Sequence, residues 1–257
     1  MIDLKKAKLE FDNYAKKYDM TDEKINRKYY HTYRVMNIAG KIAKSINLDS
    51  EEINLAMLTG LLHDIARFEQ YTQFHTFSDA KSFDHGDYGA EILKKDFFIR
   101  KFVEDNQYDN IIIKAVKNHN KFKIEDGLIE KELLFAKIAR DADKLDIFFE
   151  ILTMFYQDPK EVNELENEII DDNIIKQILK HETIVKKPNA RIIDNFILIL
   201  CLIFDLNFKH SFEIMYNEDY INKIIDKFDF KDQDTKENMK KIKEELNNYI
   251  KLQLKDN

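Results

Sequence analysis

The sequence predicts an all-α protein, and three observations carry that expectation. Glycine and proline are scarce, with 5 Gly and 2 Pro in 257 residues, which leaves little of the turn chemistry that sheets need. Apolar residues recur three and four apart along most of the chain, and no stretch shows the two-residue alternation of a half-buried strand. Sequences led by Asp, Ser or Thr stand where helices would begin.

The elements are expected as follows. A first helix runs from about Leu4 to Tyr18, and Thr21-Asp22-Glu23-Lys24 caps a second that reaches about Ile46. On that second helix His31, Val35, Ile38, Ala39 and Ile42 share one stripe. Leu48-Asp49-Ser50-Glu51 caps a third, which carries the apolar run from Ile53 to His63-Asp64-Ile65-Ala66-Arg67. This helix is greasy on nearly every side and should be buried on nearly every side. Between Arg67 and Asp84 the pattern loosens into an aromatic and polar loop, a candidate substrate cover. His85-Gly86-Asp87 opens a helix to about Lys95, and another spans Ile111 to Asn120. A turn at Asp126-Gly127 leads into a long helix from about Lys131 to Phe155, with Ala136, Ala139 and Asp143 aligned. Further amphipathic segments end in a Lys/Glu-rich helix from about Asp234 to Leu254. Residues 20–155 are expected to form the core, and 156–257 a helical extension packed on that core or on another subunit, so a homo-oligomer is compatible with the sequence.

Composition excludes several classes. The net charge of -7 gives no general attraction to nucleic acid or to an anionic membrane. The single Cys201 excludes an internal disulfide framework and a cysteine-rich zinc site. The opening Met1-Ile2-Asp3-Leu4-Lys5-Lys6 lacks an apolar signal core. The greasiest stretch, Ile192 to Phe208, is broken by Asp194, Asn195 and Asp205 and reads as a buried helix rather than a membrane span. A cytoplasmic location is expected.

The chemistry is expected from buried polar residues. Taken singly, each histidine reads as a hydrogen-bonded core residue, and Asp143 as part of a salt-bridged turn in Arg140-Asp141-Ala142-Asp143-Lys144. Taken together, His31, His119 and Asp143 each fall on the apolar face of a helix, and His63-Asp64 ends the greasiest one. Burying that set is costly unless it binds something, and a metal held between helices is the simplest answer.

The order His31…His63-Asp64…His85…His119…Asp143 resembles the HD superfamily of metal-dependent phosphohydrolases. So do the surrounding stretches His31-Thr32-Tyr33-Arg34-Val35, Leu61-Leu62-His63-Asp64-Ile65-Ala66-Arg67, Asp84-His85-Gly86, Asn118-His119-Asn120 and Asp141-Ala142-Asp143-Lys144. The resemblance covers about Lys24 to Phe155. It implies that His31, His63, Asp64 and Asp143 bind one metal, that His85 and His119 bind a second, and that Asp64 bridges. Ala66 stands where related chains often have Gly.

A sulfur-free His/carboxylate set suits one or two divalent ions of manganese, iron, cobalt, nickel or magnesium. Two such ions roughly 3.5–4 Å apart can activate a hydroxide and hold phosphate oxygens for in-line attack. The expected reaction is hydrolysis of a phosphate ester of a small molecule or nucleotide, with Asp64, Arg67 and Lys144 as catalytic residues. Arg34 and Lys117 are weaker candidates, and His75, His181 and His210 are expected to be non-ligands. The resemblance leaves two alternatives: a di-iron oxygenase of the same type, and a non-catalytic domain that senses a nucleotide.

Overall fold

The computed structural model describes residues 1–184 and 190–255. Among these there are α-helices and short 3-10 turns but no strand, as the sequence predicts. The chain divides into two compact units, Met1–Asp143 and Lys144–Asn257.

The first unit contains α1 (Leu4–Ala15), α2 (Glu23–Ser45), α3 (Ser50–Leu62), α4 (Arg67–Phe74), α5 (His85–Lys94), α6 (Asp109–Asn118) and the first part of α7 (Glu130–Thr153). The caps are those the sequence offers. Asp3 and Asp22 each accept two backbone N–H groups, and Asp49 forms a reciprocal capping box with Glu52, satisfying donors that a helix start leaves open. Beneath the helices lies a core that includes Phe11, Met36, Ile42, Leu58, Phe68 and Phe135, all essentially without exposure. Phe11 anchors α1 by edge contacts with Tyr33 and Phe68, ring centroids 5.8 Å apart in both pairs.

The segment after the His-Asp pair differs from the expected loop. Residues Arg67–Phe74 form a helix that ends on a left-handed His75, and the stretch from 75 to 84 is irregular apart from a 3-10 turn at Asp79–Lys81. The helix turns inward the apolar Phe68 and the polar Gln70. Because Gln70 is buried by hydrogen bonds to Asp79, Ser82 and the Phe83 carbonyl rather than by apolar contact, the stripe that would have announced a helix is broken in the sequence.

Gly60 brings α3 against α2. A Cβ there would lie 2.9 Å from Met36 Cα and 3.1 Å from the Val35 oxygen, so the two backbones meet where only hydrogen fits. Gly60→Ala is expected to push α3 outward and to destabilise the protein by about 1–3 kcal/mol, the usual range for overpacking. A denaturant midpoint equal to that of the native sequence would contradict this.

The second unit takes the rest of α7, then α8 (Pro159–Asn167), α9 (Asp172–Ile178), α10 (Ile192–Leu200), α11 (Lys209–Asn217), α12 (Tyr220–Ile225) and α13 (Gln233–Lys255). The apolar run at Ile192 is α10 followed by a 3-10 turn, and it buries Ile193, Phe196, Ile197 and Leu200. Burial also pushes the Cys201 thiol up to about 12, which leaves it an inert core group. No helix among the described residues is long and apolar enough to cross a membrane.

Candidate metal centre

Four helix ends and two helix interiors of the first unit deliver the six residues. His31 projects from the middle of α2. His63 caps the C-terminus of α3, and Asp64 follows in the tight turn before α4. His85 is the first residue of α5, His119 caps the end of α6, and Asp143 comes from α7. The turn needs no glycine at Ala66, whose backbone is right-handed helical.

Two close approaches set α5 against α6. A Cβ on Gly86 would stand 2.2 Å from Asn120 Oδ1 and 2.8 Å from the Lys117 carbonyl, so the start of α5 reaches the end of α6 only without a side chain. Arg140 fixes that end of α6. It is buried, and its Nη1 donates to the carbonyls of Asn118 at 2.8 Å and Lys121 at 2.5 Å. A cation at a helix C-terminus satisfies the last carbonyls and complements the helix dipole.

The ligand atoms form two sets around Asp64. Its Oδ2 lies 3.4 Å from His31 Nε2 and 3.5 Å from His63 Nε2. Asp143 Oδ1 completes that side, 3.2 Å from His31 Nε2 and 3.6 Å from His63 Nε2. Asp64 Oδ1 faces the other way and lies 3.4 Å from both His85 Nε2 and His119 Nε2. One buried carboxylate thus serves both sets.

The protons show what these sets can hold. His63 Nδ1 and His119 Nδ1 each lie 2.7 Å from a backbone carbonyl, of Gly60 and Val116 respectively. A carbonyl only accepts, so both Nδ1 atoms carry the proton and both Nε2 atoms present a lone pair. His85 Nδ1 donates to Asp79 at 2.7 Å, with the same consequence. Yet His85 Nε2 and His119 Nε2 face each other at 3.0 Å, and His31 Nε2 and His63 Nε2 at 3.2 Å. Between His85 and His119, whose protons are both placed on Nδ1, the opposed lone pairs repel unless a cation lies in reach of both. The spacing also matches two ligands of one ion, since bonds of about 2.1 Å meeting at 90–109° put donor atoms about 3.0–3.4 Å apart. The donor set therefore fits divalent metal.

Electrostatics agree. Burial works to raise the Asp64 carboxyl, but Lys28 and the histidines hold it well below the carboxylate range. Burial likewise opposes ionisation of Asp143, and the adjoining His31 and His63 rings overcome it. Burial pushes His85 down to about 4 and lowers His119, favouring the neutral form that ligates. His63 goes the other way: burial lowers it, but the charges of Asp64 and Asp143 raise it above the ordinary value, so positive charge is welcome at that nitrogen.

Around the six stand residues the sequence reading did not single out. Lys28 Nζ lies 2.8 Å from Asp64 Oδ2. Asp79 receives His85, Arg67 Nη1 and Gln70 Nε2, and Asn120 donates to Asp79 at 3.1 Å. Asp79 is a positioning residue for His85. Its replacement by Ala is expected to weaken the affinity of one of two metal positions roughly 10–100-fold, the usual effect of losing the group that orients a ligating imidazole. Stepwise titration with manganese checks this; two unchanged steps would refute it.

The other expected residues fall in different places. Arg67 is beside the cluster, its Nε 3.4 Å from Asp64 Oδ1. Lys144 is buried in the second unit with its Nζ 2.8 Å from Asp205 Oδ2. Lys117 shares Glu125 with Lys114. His75 is exposed, while His181 and His210 pair with Glu245 and Glu213.

Helices alone, with a buried histidine–carboxylate centre able to hold metal, define an all-α protein of metal-site type. Residues 29–147 match the family model described as HD domain, and all six residues of the cluster lie within the matched segment. No curated protein and no solved structure matches the chain.

Proposed function

We propose that this protein is a divalent-metal-dependent phosphohydrolase acting on a phosphate ester of a small molecule or nucleotide. The observation that carries the reading is the orientation of Asp64, whose two oxygens face two separate sets of imidazole nitrogens. His31, His63, Asp143 and Asp64 Oδ2 would hold one ion; His85, His119 and Asp64 Oδ1 would hold the other. Bound there, such ions acidify a water and draw charge from phosphoryl oxygens.

The chain's own groups divide the remaining work. The carbonyls of Gly60 and Val116 and the Asp79 carboxylate keep three imidazoles in the ligating tautomer. Arg67 offers a planar, permanently charged fork to phosphate, and it is steadied by Gln70, the Phe77 carbonyl and Asp79. Its Nε stands 3.4 Å from Asp64 Oδ1, beside the cluster, so the phosphate is assigned to Arg67.

The test is an anaerobic assay of manganese-loaded protein against phosphomonoesters, nucleoside triphosphates and cyclic nucleotides. Release of phosphate or of a hydrolysed ester under argon is the expected result. Turnover that requires iron and oxygen would make the protein an oxygenase instead. Saturable nucleotide binding without release across the panel would make it a sensor.

A further inference from the structure

A second feature of this centre is the pair of cations that flank Asp64. Lys28 lies one helical turn before His31 on α2, its ammonium on Oδ2 and its side chain only 12% exposed. Arg67 approaches the other oxygen. Its Nε is buried and has no hydrogen-bond partner, while Nη1 is gripped by Gln70 Oε1 at 2.6 Å, the Phe77 carbonyl at 2.7 Å and Asp79 Oδ1 at 3.1 Å. Both cations converge on one ring: Lys28 Nζ and Arg67 Cζ each lie 5.7 Å from the Phe77 centroid, and Arg27 Cζ lies 6.0 Å from it.

We propose that Lys28 and Arg67 form a two-armed clamp for a doubly charged terminal phosphate, which makes phosphomonoesters, and not diesters, the substrate class. The location of the clamp rests on the phosphohydrolase reading above. Each Asp64 oxygen faces two ring nitrogens as well as one of these cations. A carboxylate committed to ions on both sides has little charge left for Lys28 and Arg67. The anion that both can reach from opposite sides is then the one bound at the cluster. Their shielding strengthens the discrimination, because a second negative charge counts for more beside partly buried cations than in water. Besides these cations, the Tyr71 ring packs on Phe77 with centroids 5.0 Å apart.

Methyl phosphate and dimethyl phosphate are nearly the same shape and differ by one charge above pH 7, where the monoester has lost its second proton (pKa about 6). Calorimetric titration of the manganese-loaded 257-residue chain at pH 8 should show methyl phosphate binding about tenfold or more tighter, as expected for one added charge facing paired cations. Lys28→Met should erase most of that preference while the bound manganese, by elemental analysis, stays unchanged. Lys28→Arg should keep it. Equal affinities in the native protein would overturn the clamp, as would an undiminished preference in Lys28→Met. Loss of manganese together with methyl phosphate in Lys28→Met would also overturn it, because Lys28 would then be acting on the ion sites. The two readings fail separately. An intact preference without hydrolysis of any ester supports the clamp and sinks the hydrolase, whereas hydrolysis with equal affinities does the reverse.

Discussion

Asp64→Asn is expected to abolish metal loading at both positions and to lower turnover by roughly 10²–10³-fold or more, the scale of losing a principal electrostatic contact in an active site. The substitution keeps the volume of the side chain and removes its charge. Asp64 divides its two oxygens between the imidazole pairs, with Oδ2 toward His31 and His63 and Oδ1 toward His85 and His119. Nothing that orients three of those rings depends on it: His63 is held by the Gly60 carbonyl, His119 by that of Val116, and His85 by Asp79. The imidazoles should therefore stay in place and the helices stay formed. Circular dichroism should match the native protein while elemental analysis shows the metal gone. A variant with full metal content and full activity would remove Asp64 from the centre of this account.

Much of this was legible in the sequence, and the part that was not has a physical reason. Helix starts could be read because capping is local: Asp22 and Asp49 bond to N–H groups two or three residues away, so cause and effect lie in one short window. His31, His119 and Asp143 could be read because a polar group on an apolar stripe contradicts its surroundings, and His63-Asp64 because the pair ends the greasiest helix; His85 was implied by the resemblance alone. Lys28 was readable too, since it stands three residues before His31 and shares its face of α2. A lysine before a greasy stripe ordinarily reads as a solvated flank.

Asp79 and Arg140 carried no such signal. Asp79 lies in an aperiodic stretch and acts on Arg67, Gln70, His85 and Asn120, from 6 to 41 residues away in sequence. Arg140 sits among acids in α7, where an exposed salt bridge is the ordinary reading. Its function is to hold the carbonyls that end α6, about twenty residues back. Long-range polar contacts leave no period in a sequence, which is also why α4 read as a loop.

Removing the metals should destabilise the first unit as well as silence it. The cluster is buried, and at least three of its imidazoles present lone pairs whose protons are committed elsewhere. Stripped of cations, His85 Nε2 and His119 Nε2 confront each other at 3.0 Å, and the remedy is either partial opening of the helix ends or an unwelcome proton on a nitrogen that burial keeps neutral. An ion that binds the folded state and not the unfolded one stabilises by about 4 kcal/mol when present at a thousand times its dissociation constant. At about 2–4 °C per kcal/mol for a chain of this size, chelation should lower the melting temperature by about 10 °C, and added manganese should restore it in a concentration-dependent way. The same titration on Asp64→Asn separates this centre from ions held at the acidic surface: the variant should melt at one temperature with and without manganese. A native protein whose melting is indifferent to millimolar manganese would mean that the facing nitrogens are satisfied by something other than metal.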